Sequence, residues 1–521
     1  MEKKTIIIIL FELFFVFLWL FFVGQMSGTS ALRGDINFLD EGQFAAWVNQ
    51  IFHGEKMYRD FFTAYGPLQI YPVYLSALLF GKNMFSIRLG AGVLQIFLGI
   101  GISILVLKTL KVHPVLEAVT LFLILLIPGV FLRQWIGIFC ILLTVEAFTK
   151  RSKSLALLSG SVLALSFLES VDIGALSLFT VGGYIGYISA FRKNPPHGSL
   201  IKFFILGVVL IAAIFAFFAQ KDGWLIFYFK ETIKTITSDS GINLANGMGL
   251  PAVSFERLYL SPIFFIRFIF SKAMLFYWAL LYLLILLCIS IFRFFLGLKG
   301  KENIISFLAI FYSILWFGTI IGRSGHYPIV IPIILVFSSY YLSQLFPFKK
   351  TNKTSDKIMG LLFLGVVLGY GLRYMAIYRF TDFPNIPGRK KVDISVSRVS
   401  PLGISKKQAD EIKSLQEFFA KETKQGDTIF VLNNEPAIYF LVDREDPTAY
   451  GLPFLAYSKS MREDIVSALS KRKTQFVVED SQAWAVDGIS DSQRLPEVVS
   501  YVNKSYREYK MLGHYVVYKR I

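Results

Sequence analysis

Eleven apolar runs constrain this chain more than any other feature; they lie at about 5–23, 85–107, 115–132, 134–149, 154–168, 173–191, 203–219, 273–292, 303–322, 328–347 and 358–378. A run of about 20 apolar residues crosses a bilayer as a helix, the form in which its backbone polar groups find partners inside the segment. The 52 Phe and a mean hydropathy of +0.57 agree with a polytopic α-helical membrane protein. The runs that meet near Arg133 and near Glu169 are separated by very tight turns, so the helix count there is open. The first run carries Glu12 and lacks a small-x-small cleavage site, which makes it an anchor and not a cleaved signal peptide.

The formal charge of +17 would suggest nucleic acid in a soluble chain. Its placement points to topology instead. The N-terminus and the loops near 108–111, 150–153, 192–202, 293–301 and 349–357 hold 17 of the 31 basic residues of positions 1–378. The short alternate loops carry only Arg133 and Arg323. Short loops rich in Lys and Arg stay in the cytoplasm. The N-terminus is therefore expected inside, and the first long loop, the 220–272 loop and the C-terminal part outside. No nucleic-acid partner is expected.

Composition changes near residue 379, after which 22 basic and 19 acidic residues make the chain nearly neutral and water-soluble. The division expected is a transmembrane catalytic domain over 1–378 with a long first outside loop at 24–84, a linker at 379–404, and a small extracytoplasmic α/β domain over 405–521. Within the last, 405–424, Glu435–Val442, Ser460–Lys471 and Glu497–Tyr509 read as helices. Thr428–Leu432, Thr474–Val478 and His514–Lys519 read as strands. Cys140 and Cys288 lie in apolar runs, and only five His are present, so no disulfide framework or Cys- or His-based metal site is indicated.

Chemistry concentrates in the first outside loop. Asp35, Asp40, Glu41, Glu55 and Asp60 alternate there with Arg33, Lys56, Arg59 and many aromatics. Asp40–Phe52 sets Phe44, Trp47, Val48 and Ile51 at i, i+3, i+4 and i+7, the pattern of an amphipathic helix on the membrane surface. Asp40 stands at its start. It is either a helix cap or, with Glu41, an acidic group that takes a proton from an acceptor hydroxyl. Spacing alone leaves both open.

The stretch Asp35–Gly90 carries Asp40-Glu41, Gly54, Tyr58-Arg59-Asp60, Tyr65-Gly66-Pro67-Leu68, Phe80-Gly81 and Arg88-Leu89 in one order. It resembles the start of a GT-C type membrane glycosyltransferase, in the branch of the protein O-mannosyltransferases and the lipid A aminoarabinose transferase. The resemblance implies a polytopic enzyme that transfers a sugar, hexose or pentose, from a polyprenyl-phosphate carrier on the outer face of the membrane, with inversion. It implies that Asp40 is the base, with Glu41 assisting and Asp35 ranked next. Arg59, Asp60 and Tyr65 join as further site candidates. No Asp-x-Asp triplet occurs in the loop, so no motif supports a divalent metal and no cofactor is assigned.

Gly322–Pro328 (GRSGHYP) forms a turn between two spans and resembles a polar or aromatic motif of the same branch. Arg323 and His326 there, with Tyr327 beside them, can neutralise a departing lipid phosphate; interfacial anchoring explains the same residues. Arg88, near the start of the second span, is a further candidate for that phosphate. Glu169 and Asp172 make an acidic turn where some relatives have a Lys-Gly element. The reading is a polyprenyl-phosphate-sugar-dependent glycosyltransferase in a membrane, expected to be the bacterial inner membrane. Its partners are the lipid-linked sugar donor, membrane lipids, and a glycan, lipid or protein acceptor. The competing reading is a transporter or flippase of lipid-linked sugars, and a third is a non-catalytic assembly or receptor protein. The sequence shows neither internal repeats nor charged mid-membrane helices that would favour transport.

Overall fold

A computed structural model describes residues 3–24, 30–63, 65–126, 130–191, 198–237, 272–295, 300–319, 330–344, 392–456, 458–483 and 489–521. Ten of the eleven apolar runs are found as helices; the run at 358–378 lies outside the described residues. The chain groups into two units. One comprises 1–28, 95–214 and 249–383, and the other 29–94, 215–248 and 384–521.

Seven described helices are long and apolar enough to span: Thr5–Val23, Met84–Thr109, Leu132–Lys150, Val171–Ala190, Gly198–Lys221, Phe276–Arg293 and Lys301–Thr319. The protein is therefore an integral membrane protein. Pro114–Leu126 and Ile331–Ser343 are shorter apolar helices, and the run at 154–168 forms the helix Lys153–Glu169. Ser170 alone separates that helix from the one starting at Val171, so the tight turn read from the sequence is real.

Small residues let these helices approach. Gly160 of Lys153–Glu169 and Gly207 of Gly198–Lys221 face each other's backbones. A Cβ on Gly160 would meet the Phe204 carbonyl at 1.9 Å, and one on Gly207 the Leu157 carbonyl at 2.0 Å. Such close contacts are how helices pack where lipid removes any hydrophobic drive between them. Ion pairs tie the same unit together. Lys108 holds Glu12 at 2.9 Å and Glu117 at 2.7 Å, and Lys301 holds Glu146 at 2.6 Å.

The second unit joins the first loop to the C-terminal residues. Its loop helices are α1 (Asp40–Phe52), α2 (Pro67–Phe80) and α3 (Met84–Arg88), the last running through a π-helical turn at Leu89–Val93. Its C-terminal part holds β1 (Val392–Asp393), β2 (Ile404–Ser405), α4 (Lys406–Glu422), β3 (Ile429–Val431), α5 (Ala437–Val442), α6 (Lys459–Lys471), β4 (Phe476–Asp480), α7 (Asp491–Arg494), α8 (Pro496–Ser505), β5 (Tyr506–Leu512) and β6 (Tyr515–Arg520). The sheet runs β3-β4-β6-β5, with β3 and β4 parallel and β6 antiparallel to both its neighbours. Helix 497–509 of the sequence reading is corrected: it ends at Ser505, and Tyr506 opens β5. Tyr506–Leu512 is almost wholly exposed on this sheet edge and carries no apolar alternation. Pairing with β6 makes the strand, which is why periodicity missed it.

One expectation for α1 also changes. Trp47 and Val48 are fully buried, and they are buried in protein. Val48 packs with Ala437, Phe440 and Leu441 of α5, and Trp47 with residues such as Phe430, Leu432 and Tyr450. The apolar face seals the loop onto the C-terminal α/β layer instead of lying on lipid. Gly42 permits the contact, since a Cβ there would sit 2.6 Å from the Ala437 nitrogen. Lipid-type exposure appears one helix later, where Leu75, Leu78, Leu79 and Phe80 of α2 are exposed.

Candidate active site

The first turn of α1 is built by Asn37. Its Oδ1 accepts the N–H groups of Leu39 at 3.0 Å and Asp40 at 2.8 Å. Its carbonyl accepts those of Glu41 and Gly42, both at 3.1 Å. These are orphan donors that a helix start must satisfy. Asn37 therefore does the capping that the sequence reading offered as one role for Asp40. Asp40 is instead the first helical residue and is exposed, its carboxylate turned toward the Asn37 amide. Acidic side chains at this end are favoured by the helix dipole.

Asp40 and Glu41 then diverge. Glu41 is clamped by Arg88, whose Nε and Nη2 donate to its two carboxylate oxygens at 2.5 and 2.9 Å. It also accepts the Asn37 N–H at 3.1 Å. Arg88 itself is 3% exposed. Its remaining donors go to the carbonyls of Ser30, Arg33, Gly34 and Asp35 at 3.0–3.2 Å. A bidentate arginine on one carboxylate with four carbonyls around it is a fixed strut between α3 and the start of the loop. Among the described residues Asp40 has one side-chain hydrogen bond, from Asn37 Nδ2 to its Oδ2 at 2.8 Å. Loss of surrounding water raises its pKa. The Asn37 bond opposes that shift and the Glu41 charge adds to it.

The other loop candidates have local partners. Asp35 Oδ1 accepts the Ser405 N–H at 2.7 Å, tying the loop to β2. Arg59 and Asp60 form an adjacent pair, with Nη2 to Oδ2 at 2.6 Å, and Asp60 also accepts the Lys56 N–H at 2.7 Å. That pairing holds Asp60 below the usual carboxylate range. The Tyr65 ring lies parallel to Phe44 at 5.9 Å and edge-on to Trp47, and its carbonyl accepts the Tyr58 and Thr63 hydroxyls at 2.9 Å.

In the membrane unit, Asp172 accepts from Arg133 Nη2 at 2.9 Å and from the Ser170 hydroxyl, and Glu169 is fully buried. Arg323, His326 and Tyr327 lie outside the described residues, as does the stretch GINLANGMG at 241–249 within the 220–272 loop. Among the described residues no group of three His, Cys, Asp or Glu side chains is placed to hold a metal ion.

Sequence reasoning passed over Asn37. An Asn three residues before an acidic pair at a helix start is a capping signal, and its amide also carries a donor toward the first turn. It also passed over His53 at the far end of α1. There His53 lies 3.4 Å from Asp443 and 3.3 Å from Glu445, and burial pushes Glu55 up to about 7.

No family model matches the chain, and no curated protein matches it. Among the solved structures similar to the chain are the following three. The Archaeoglobus fulgidus oligosaccharyltransferase in complex with Zn and sulfate is 14% identical at a TM-score of 0.46, over 98% of this chain and 73% of that one. ArnT from Cupriavidus metallidurans bound to undecaprenyl phosphate is 11% identical at 0.48, over 100% and 99%. The arabinofuranosyltransferase AftD from mycobacteria is 10% identical at 0.42, over 100% and 40%.

Proposed function

We propose that this protein is a membrane glycosyltransferase that moves a sugar from a polyprenyl-phosphate carrier to an acceptor hydroxyl on the extracytoplasmic face, with the N-terminus cytoplasmic. The observation that carries this reading is the division of labour in one acidic pair. Glu41 is locked to Arg88, while Asp40 is exposed with Oδ1 left to a substrate. A carboxylate held by one bond and open at its other oxygen suits a general base.

In the proposed reaction, Asp40 takes the proton of the acceptor hydroxyl. The acceptor oxygen forms its bond to the anomeric carbon as the bond from that carbon to the phosphate oxygen breaks. The bonding pair leaves with the polyprenyl phosphate, and the configuration inverts. Arg323 and His326 are assigned to the leaving phosphate on the resemblance of their turn. Arg88 is assigned a positioning role, because its guanidinium donors are taken up by Glu41 and the loop backbone. Asp35, engaged with Ser405, ranks behind Asp40 as base.

A transfer assay in nanodiscs tests this. Extracted lipid-linked sugars are the donors and a mixed pool of native glycans, lipids and proteins supplies the acceptors. Transfer by wild type that is lost in a folded Asp40→Asn variant supports the reading. Equal transfer by both removes Asp40 as base. No transfer, with lipid-linked sugar crossing between leaflets of proteoliposomes, replaces the enzyme with a transporter.

A further inference from the structure

Asn37 uses both ends of its amide at the start of α1. Its Oδ1 accepts backbone N–H groups and so starts α1, while its Nδ2 donates to the Asp40 carboxylate at 2.8 Å. The first contact is structural. The second acts on the group proposed above as base, and this inference rests on that proposal only for its catalytic consequence. We propose that Asn37 is a positioning residue for Asp40: its amide fixes Oδ2, stabilises the ionised carboxylate, and leaves Oδ1 as the acceptor for the substrate proton.

Three observations support the assignment. Asp40 has no other protein hydrogen-bond partner among the described residues, so removing Nδ2 frees the carboxylate to rotate. Asn37 cannot easily swing away, because its backbone N–H and carbonyl and its Oδ1 are all engaged by residues 39–42. The third is the scarcity of charge around Asp40. On its own helix the nearby charge is Glu41, which adds to the rise in pKa and is itself matched by Arg88 of α3. The neighbouring Asp35 is engaged with Ser405. Helices α2 and α5, which pack against α1, contain no charged residue, and neither does the turn Leu89–Val93. The Asn37 amide is therefore the main protein group of this unit that favours the charged form of Asp40.

The sign follows. A hydrogen bond donated to a carboxylate lowers its pKa, so losing it raises the pKa, and a base that must be ionised then works only at higher pH. Ser and Asp at position 37 both keep an oxygen able to cap the helix and both lack the amide donor; Asp also brings a second carboxylate against the first.

The experiment reads Asp40 in two independent ways across pH 4–8. Pulse labelling of the full-length protein in nanodiscs with a water-soluble carbodiimide and a small amine, followed by peptide mass spectrometry, reports the protonated fraction of Asp40. The transfer assay with extracted lipid-linked sugars reports the acid limb of activity. The labelling midpoint of Asp40 is expected to rise by about one pH unit in Asn37→Ser, the size of one charge-assisted bond at a partly exposed site, and further in Asn37→Asp. The acid limb of transfer moves by the same amount, with melting unchanged in both variants. Labelling midpoints in both variants that coincide with wild type overturn the proposal, whatever the activity. A labelling shift in a protein that transfers nothing keeps the Asn37–Asp40 coupling and sinks the glycosyltransferase reading instead.

Discussion

Replacing Arg88 by Met gives the sharpest test of how the acidic pair is held. Arg88 donates six hydrogen bonds, two to Glu41 and four to carbonyls of residues 30–35, from a site 3% exposed. Methionine matches its stem and removes every donor. Glu41, with a side chain 17% exposed, then keeps only the Asn37 N–H, and the carbonyl of buried Ser30 loses its guanidinium donor. Removing one partner of a buried pair costs about 3–5 kcal/mol, mostly from the charge left behind. Domains of roughly this size lose about 2–4 °C per kcal/mol, so the apparent melting temperature should fall on the order of 10 °C. Scanning fluorimetry in nanodiscs measures that. The double variant Arg88→Met/Glu41→Gln should melt higher than Arg88→Met alone, since no charge is stranded, and the double-mutant cycle gives the coupling. The reasoning fails if Arg88→Met melts within about 2 °C of wild type while needing much more lipid-linked donor. That pattern would place Arg88 on the phosphate.

Other outcomes follow from the same contacts. Asp35→Asn keeps an oxygen for the Ser405 N–H and should leave transfer within about twofold of wild type, since removing a charge from an exposed hydrogen bond costs little; a loss as deep as that of Asp40→Asn would move the base to Asp35. Gly160→Ala should lower yield and melting by roughly 1–3 kcal/mol or more, because the new methyl meets a carbonyl at 1.9 Å, and melting in nanodiscs checks it. His53, whose pKa is raised by its hydrogen bond with Asp443 against the opposing effect of burial, with the Glu445 and Asp443 charges adding to the rise, binds its proton more tightly folded than unfolded. Its contribution is full below about pH 6.5 and lost as pH rises through the folded value. Melting should therefore be lower at pH 8 than at pH 6, with a smaller difference in His53→Gln.

Much of the fold is local and so could be read along the chain. Spanning helices follow from unbroken apolar length, because a backbone in lipid has no other way to satisfy its polar groups. Helix α1 was visible from Phe44, Trp47, Val48 and Ile51, and strands β3 and β4 from short β-branched and aromatic runs. The acidic pair was visible as a pair. Sequence did not reveal what the apolar face of α1 covers, since amphipathic periodicity records that a face is buried and not by what. Lipid and the α5 face present the same chemistry to Trp47 and Val48.

Tertiary structure decided the rest. Arg88 stands 47 positions from Glu41, and only the packing of α3 beside α1 turns a candidate phosphate ligand into the clamp on that carboxylate. Strand β5 exists because β6 offers it an edge, with no apolar alternation to announce it. Asp40 and Glu41 are adjacent in sequence and share a charge, a helix turn and a dipole. The difference between them is that one side chain turns toward Arg88 and the other toward Asn37, which depends on contacts that no single stretch of sequence contains.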